Sequence, residues 1–131
     1  MVARPSDLDF EPSVLITDDS DAWREALGEV LHREGFRTLE AACGEEAIEL
    51  VRTEHLDLAL IDFHMPRLDG LETIREIRRH DARLPAVLMT AHPGTLPYAQ
   101  VRELHVTTVL VKTADREGIV TVVLGLIRRR G

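Results

Sequence analysis

Three features of the sequence predict an α/β fold: a doubly wound, five-stranded parallel sheet in the order 2-1-3-4-5 with helices on both faces. Short apolar runs alternate strictly with segments of helical periodicity, a pattern that places the strands in one parallel sheet under helical cover. One run, "LPAVLMT", is nearly continuous in apolar residues, which suits a strand buried on both sides. Four of the five runs finish on a polar residue at the future carboxyl rim of the sheet; the second, ending in Ala41 and Ala42, has none and takes the outer position.

The first dozen residues, with Pro5 and Pro12 among polar side chains, read as a flexible arm over 1–12, and the folded domain spans 13–131. "VLITDD" (14–19) is the first strand and runs into acids. Ser20 or Asp21 can cap the helix that follows, in which Trp23, Ala26, Leu27, Val30 and Leu31 share one face before Gly35 stops it. Residues 36–42 alternate as a second strand, and 44–55 form a helix with Ala47, Ile48 and Val51 inward. The third strand, "LDLALIDF", ends near Asp62, and the helix after it buries Leu71, Ile74 and Ile77. Residues 84–90 are the fourth strand, broken by "HPG" at 92–94. A short helix from about Pro97 to His105, a strand over 106–112 and a helix over 115–130 follow. Two glycines and several β-branched residues blur the ends of the last helix.

A chain of 131 residues can bury about two thirds of its extended surface without disulfides or a structural metal. Its single cysteine, Cys43, cannot form an internal disulfide. No apolar segment reaches the roughly 20 residues of a membrane span, and the start lacks an apolar signal core; the expectation is a cytoplasmic protein with no membrane partner. A net charge of -7 argues against nonspecific nucleic-acid binding, which needs clustered cations. The "RRR" at 128–130 reads instead as the cationic last turn of a helix. Lys112 is the only lysine among sixteen basic residues, which marks a position where a compact ammonium is wanted.

Ligands of open parallel sheets sit beyond the carboxyl ends of the strands, near the point where strand order reverses. Those ends carry Asp18 and Asp19, Asp62, Thr90 and Lys112. Each has an ordinary explanation alone: a helix cap, a hydroxyl bonded to a loop, a solvated strand end. Their convergence on one crevice does not. Two like charges about 4 Å apart repel by roughly 4 kcal/mol at an effective dielectric near 20, so the acids require a cation or protons. An all-oxygen donor set favours Mg²⁺, with Mn²⁺ as the alternative. An aspartate can attack phosphorus and hold an acyl phosphate, while Mg²⁺, Lys112 and a hydroxyl neutralise the phosphoryl oxygens.

The stretches "LITDDS", "ALIDFHMPRLDG", "VLMTAH" and "VLVK", in this order within residues 14 to about 130, resemble the receiver domain of bacterial response regulators, the CheY-like family with its flavodoxin-like fold. The resemblance implies that Asp62 is the phospho-acceptor. Asp18, Asp19, Asp62 and the backbone carbonyl of His64 would hold Mg²⁺. Thr90 would be the switch hydroxyl, Lys112 would pair with the acceptor and then with the phosphate, and the small Ala91 would leave the phosphoryl group accessible. The implied donor is a sensor histidine kinase or phosphotransfer protein. The domain would phosphorylate and dephosphorylate itself without being an enzyme in the ordinary sense. Its output would pass through an altered face of the fourth helix, fifth strand and fifth helix, to another protein or to a second copy in a homodimer.

Three positions depart from the family pattern. Val109 stands where the switch aromatic is usual. Thr113 follows Lys112 in place of a cis-proline; since a cis bond before another residue costs about 2.5 to 4 kcal/mol, either a trans bond with a shifted loop or a strained cis bond is expected. His64 and His92 lie two residues beyond Asp62 and Thr90, at positions that in this family tune the phosphate lifetime; they can also join a Zn²⁺ or Mn²⁺ site or stand as exposed loop side chains. Trp23 is expected in the core one turn from the acids, and Tyr98 as a surface anchor opening the fourth helix. Two other functions stay open: a receiver-like protein-binding module that phosphorylation does not switch, and a haloacid-dehalogenase-like Mg²⁺-dependent phosphatase using "DSD" at 19–21, in which Asp62 would lack a purpose.

Overall fold

Successive side chains of a strand point to opposite faces of its sheet, and here both faces are apolar. The computed structural model describes residues 11–112 and 116–130, without the side chains of 129 and 130. In chain order the elements are β1 (Ser13–Thr17), α1 (Asp21–Arg33), β2 (Arg37–Ala41), α2 (Gly44–Thr53), β3 (Leu58–Asp62), α3 (Gly70–His80), β4 (Ala86–Thr90), α4 (Tyr98–Glu103), β5 (Thr108–Val111) and α5 (Arg116–Arg130). The sheet order is β2-β1-β3-β4-β5 and all four pairings are parallel, as the sequence predicts. Leu15, Ala59, Ile61, Ala86 and Leu88 point to one face, where α2, α3 and α4 contribute Ala47, Leu71, Ile74, Ile77 and Val101. Val14, Ile16, Leu58, Leu60, Val87 and Met89 point to the other, under Leu27 and Leu31 of α1 and Ile119, Val120, Val123 and Ile127 of α5. β1, β3 and β4 are buried throughout, which fixes the three central strand ends as one rim.

The expected arm lies outside the described residues as far as residue 10; Pro12 is buried, and its carbonyl accepts the Arg37 N–H at 2.9 Å. Ser20 caps α1, accepting from the Trp23 N–H at 3.3 Å. Gly35 follows the helix at φ 96°, a left-handed conformation that glycine adopts without strain. α4 is shorter than the predicted span of about 97 to 105. His105, at φ 55°, turns the backbone out of the helix, and the Val106 N–H returns to the Val101 carbonyl at 3.3 Å. Between β4 and α4 the "HPG" break forms a single 3-10 turn, Pro93–Thr95. Arg78 of α3 anchors the far end of α4: its guanidinium donates to the carbonyls of Leu104 at 3.0 Å, His105 at 3.0 Å, Leu84 at 2.7 Å and Asp81 at 3.3 Å. Burial lowers the Arg78 pKa, yet an arginine keeps its charge in a protein.

Candidate functional site

β1 passes into α1 through Asp18, Asp19 and Ser20, a turn held at both ends. The Asp18 N–H donates to Ala41 at 3.1 Å, and the Asp18 carboxylate accepts the Ser20 N–H at 2.9 Å. Asp18 is fully buried, whereas Asp19 is exposed at the mouth. β3 delivers Asp62, buried, to the same rim, and carboxylate oxygens of Asp18, Asp19 and Asp62 lie within 4.8 Å of one another. β5 runs on into Lys112, whose N–H donates to the Thr90 carbonyl at 2.7 Å. The Lys112 ammonium donates to Asp18 Oδ2 at 2.6 Å and lies 3.7 Å from Asp62 Oδ2.

The loop after Asp62 is shaped by Gly70 and Asp69. Asp69 caps α3 through a reciprocal box with Glu72, with bonds of 2.8 and 3.0 Å. The Gly70 N–H donates to Phe63 at 2.9 Å. The helix thereby starts so close to the strand end that a Cβ on Gly70 would lie 2.6 Å from the Asp62 carbonyl oxygen and 2.8 Å from the Phe63 Cα. The "LDG" of the sequence is therefore the packing element that sets where the Asp62 backbone sits.

Burial is the largest influence on the Asp62 carboxyl and raises its pKa from 3.8 to about 6. The Asp18 charge adds to the rise and Lys112 opposes it; Asp19 raises it a little further, and the His64 N–H, bonded to the carboxylate, pulls it down. One ammonium therefore does not balance three carboxylates. Three hard oxygen donors converging at a partly open mouth, with negative charge to spare, fit a small divalent cation that keeps some of its waters.

Thr90 is buried at the end of β4 beside this cluster, and its hydroxyl accepts the His92 N–H at 3.0 Å. Ala91 is exposed. The rings of His64 and His92, both exposed, stand edge to face with centroids 6.3 Å apart, so the loops that follow β3 and β4 come together. Val109 is half-buried against the core on the α2–α4 side of the sheet. Tyr98 opens α4 with 47% of its surface exposed, and its hydroxyl donates to the Pro93 carbonyl at 2.7 Å. The expectation about the Lys112–Thr113 peptide lies outside the described residues.

Two side chains matter more than the sequence suggested. Arg24 is buried and donates to the Asp18 carbonyl at 2.7 Å, to Asp21 at 2.7 Å and to Glu40 at 3.0 Å. It fixes the backbone of a site carboxylate and ties α1 to β2. A signal for it was present: Arg24 stands three and seven residues before Leu27 and Leu31, on the inward stripe, where an unpaired cation is not tolerated. Trp23 does pack against the α1/α5 core as expected, but its ring also lies 4.4 Å below the Lys112 ammonium.

The response regulator receiver domain model matches residues 14–124. Among curated proteins, the chain is 33% identical over 106 residues to sporulation initiation phosphotransferase F of Bacillus subtilis, covering 81% of this chain and 86% of that one. It is 45% identical over 80 residues to the transcriptional regulatory protein AfsQ1 of Streptomyces coelicolor, a match to 61% of this chain that spans only 35% of that relative. Among solved structures, the response regulator TrrA of Thermotoga maritima, determined in complex with Mg²⁺-BeF, superposes with a TM-score of 0.80 at 29% identity, covering 88% of this chain and 98% of that one. Chemotaxis protein CheY4 of Vibrio cholerae shares the fold, with a TM-score of 0.84 at 23% identity and coverage of 89% and 99%. With a parallel sheet in the order 2-1-3-4-5 and an acid cluster at its rim, the chain belongs to the receiver-domain family of two-component response regulators.

Proposed function

We propose that this receiver domain accepts a phosphoryl group on Asp62 from the phosphohistidine of a cytoplasmic sensor kinase or phosphotransfer protein. It signals through an altered α4, β5 and α5 face, to another protein or to a second copy of itself. The observation that carries this reading is the meeting of Asp18, Asp19, Asp62 and Lys112 at one rim from three separate strands. A carboxylate oxygen of Asp62 forms the new P–O bond as the donor P–N bond breaks. The departing imidazole nitrogen keeps the electron pair and takes a proton. Asp18, Asp19, Asp62 and the His64 carbonyl would hold Mg²⁺, which supplies charge neutralisation to the phosphoryl oxygens.

Lys112 bonds a phosphoryl oxygen in place of its present carboxylate partners. The Thr90 hydroxyl turns from the His92 N–H toward the same group, a local change at the start of the path to α4. Val109 fills the place of an aromatic switch, so the output rests on backbone and α4 movement, with no ring rotation at that position. His64 and His92, whose rings stand edge to face in the loops that follow Asp62 and Thr90, govern access of water and so the lifetime of the phosphoryl group.

Treatment with a small acyl phosphate and Mg²⁺ is expected to add one phosphoryl mass to the wild type and none to Asp62→Ala, read by intact-protein mass spectrometry. Turnover of an aryl phosphate that survives Asp62→Ala would overturn the reading in favour of a phosphatase. Mg²⁺ alone is expected to raise the melting temperature, since it binds only the folded cluster: at ten times its dissociation constant the gain is about 1.4 kcal/mol, or roughly 5 °C for a domain of this size. Asp18→Asn should lose most of that response in the same thermal scan.

A further inference from the structure

We propose that Trp23 is a positioning residue for Lys112, its indole face keeping the ammonium at the rim when Asp18 is engaged by a metal and Lys112 has to reach the phosphoryl oxygens on Asp62. This rests on the receiver reading above and adds a residue to it. The shortest partner of Lys112 is Asp18, at 2.6 Å, and Asp18 is one of the proposed metal ligands. Asp62 is farther, at 3.7 Å, and is the group to be modified. Both carboxylate contacts of the ammonium therefore belong to groups that change partner during the reaction.

Lys112 follows the edge strand, and the Val111 residue beside it is 45% exposed. Its side chain is flexible and strongly hydrated by preference, so without a further holder it would swing into water. Among the described residues the ammonium has one further neighbour of this kind, the Trp23 ring, with its centroid 4.4 Å away. The ring is itself held, because α1 packs it against the α1/α5 core three residues after Ser20, which closes the acid-bearing turn and accepts the Trp23 N–H. An aromatic face suits this task for a physical reason: it attracts a cation through its quadrupole, yet it adds no net negative charge to three crowded carboxylates and offers no oxygen to compete for the metal. Among aromatic side chains tryptophan does this best.

The chain contains one lysine and one tryptophan, so the contact can be read without assignment ambiguity. In protein labelled with ¹³C-lysine, the Lys112 ε-methylene signals are expected upfield of their free-lysine position, because they lie near the ring face, and to stay there through a Mg²⁺ titration. Trp23→Leu should return them to the free position and slow acyl-phosphate labelling of Asp62 on the order of fivefold. Trp23→Phe should restore part of both, in an order that melting temperature does not follow. Free-lysine shifts in the wild type, loss of the upfield position on adding Mg²⁺, or wild-type labelling by Trp23→Leu would each overturn the proposal. No labelling of the wild type at all would instead overturn the phospho-acceptor reading, and the lysine shifts would still decide the contact.

Discussion

Asp62→Asn is expected to raise the stability of the metal-free protein at pH 8, although it removes the residue on which the proposed chemistry depends. The Asp62 pKa stands at about 6 in the fold against 3.8 without it, so between those values the native state holds a proton that the unfolded state has lost. By linkage, the stability this group contributes is complete below pH 4, falls as pH rises toward 6, and stays lost above. A shift of that size in a dry site would correspond to about 3 kcal/mol; with water at the mouth, on the order of 2 kcal/mol is the expected gain for asparagine at pH 8, or roughly 8 °C in melting temperature. Thermal scans from pH 4 to 8 in EDTA should show the wild type and the variant diverging between pH 4 and 7. Addition of Mg²⁺ should narrow the gap, because the cation compensates the charge that asparagine lacks. A variant no more stable than the wild type at pH 8 in EDTA would mean that the acid cluster is not under electrostatic strain.

Gly70→Ala is expected to cost roughly 3 kcal/mol, about 10 °C in melting temperature. The added Cβ would meet the Asp62 carbonyl oxygen at 2.6 Å, the Phe63 Cα at 2.8 Å and Leu88 Cδ1 at 2.9 Å. Two of these three neighbours are backbone, so relief requires α3 to move away from the end of β3, taking the Asp69 cap with it. Labelling of Asp62 should slow as well, since the clash falls on the peptide that aims its side chain. Gly94→Ala is the matched control: nothing lies within 4 Å of its added Cβ, and its effect should stay within about 0.5 kcal/mol. Equal melting temperatures for the two variants would show that the loop yields freely and that Gly70 has no role in setting the acceptor.

The architecture was legible because each central strand is apolar on both faces and each ends at a chemically distinct residue; Asp18, Asp62, Thr90 and Lys112 could be placed on one rim by counting strand ends alone. Periodicity also placed the inward faces of α1 and α3. What it could not supply were contacts made across the fold by side chains with an ordinary local role. Trp23 fits the apolar stripe of α1, and nothing near it in sequence points to Lys112. Arg24 was visible in principle, as a cation on a buried stripe, but its partner Glu40 belongs to β2 and its other target is a backbone carbonyl. The early end of α4 at His105 lacks the glycine or asparagine that usually announces a left-handed residue. Arg78, four residues after Ile74 and one after Ile77 on the flank of the α3 stripe, gave no hint that its targets would be carbonyls.

Those carbonyls make α4 mechanically lopsided. At its C-terminal side, the charged Arg78 donates to the carbonyls of Leu104 and His105, and hydrogen bonds to a charged group are the stronger kind, at about 1.5 to 3 kcal/mol. At its N-terminal side no side chain caps the helix, and the exposed Tyr98 hydroxyl reaches back to Pro93 through one neutral bond. The helix is built like a door, hinged on α3 and latched by a single phenol on the side nearest Thr90. If the proposed phosphorylation displaces the loop after Thr90, the lightly held Tyr98 end is expected to yield before the end that Arg78 fixes.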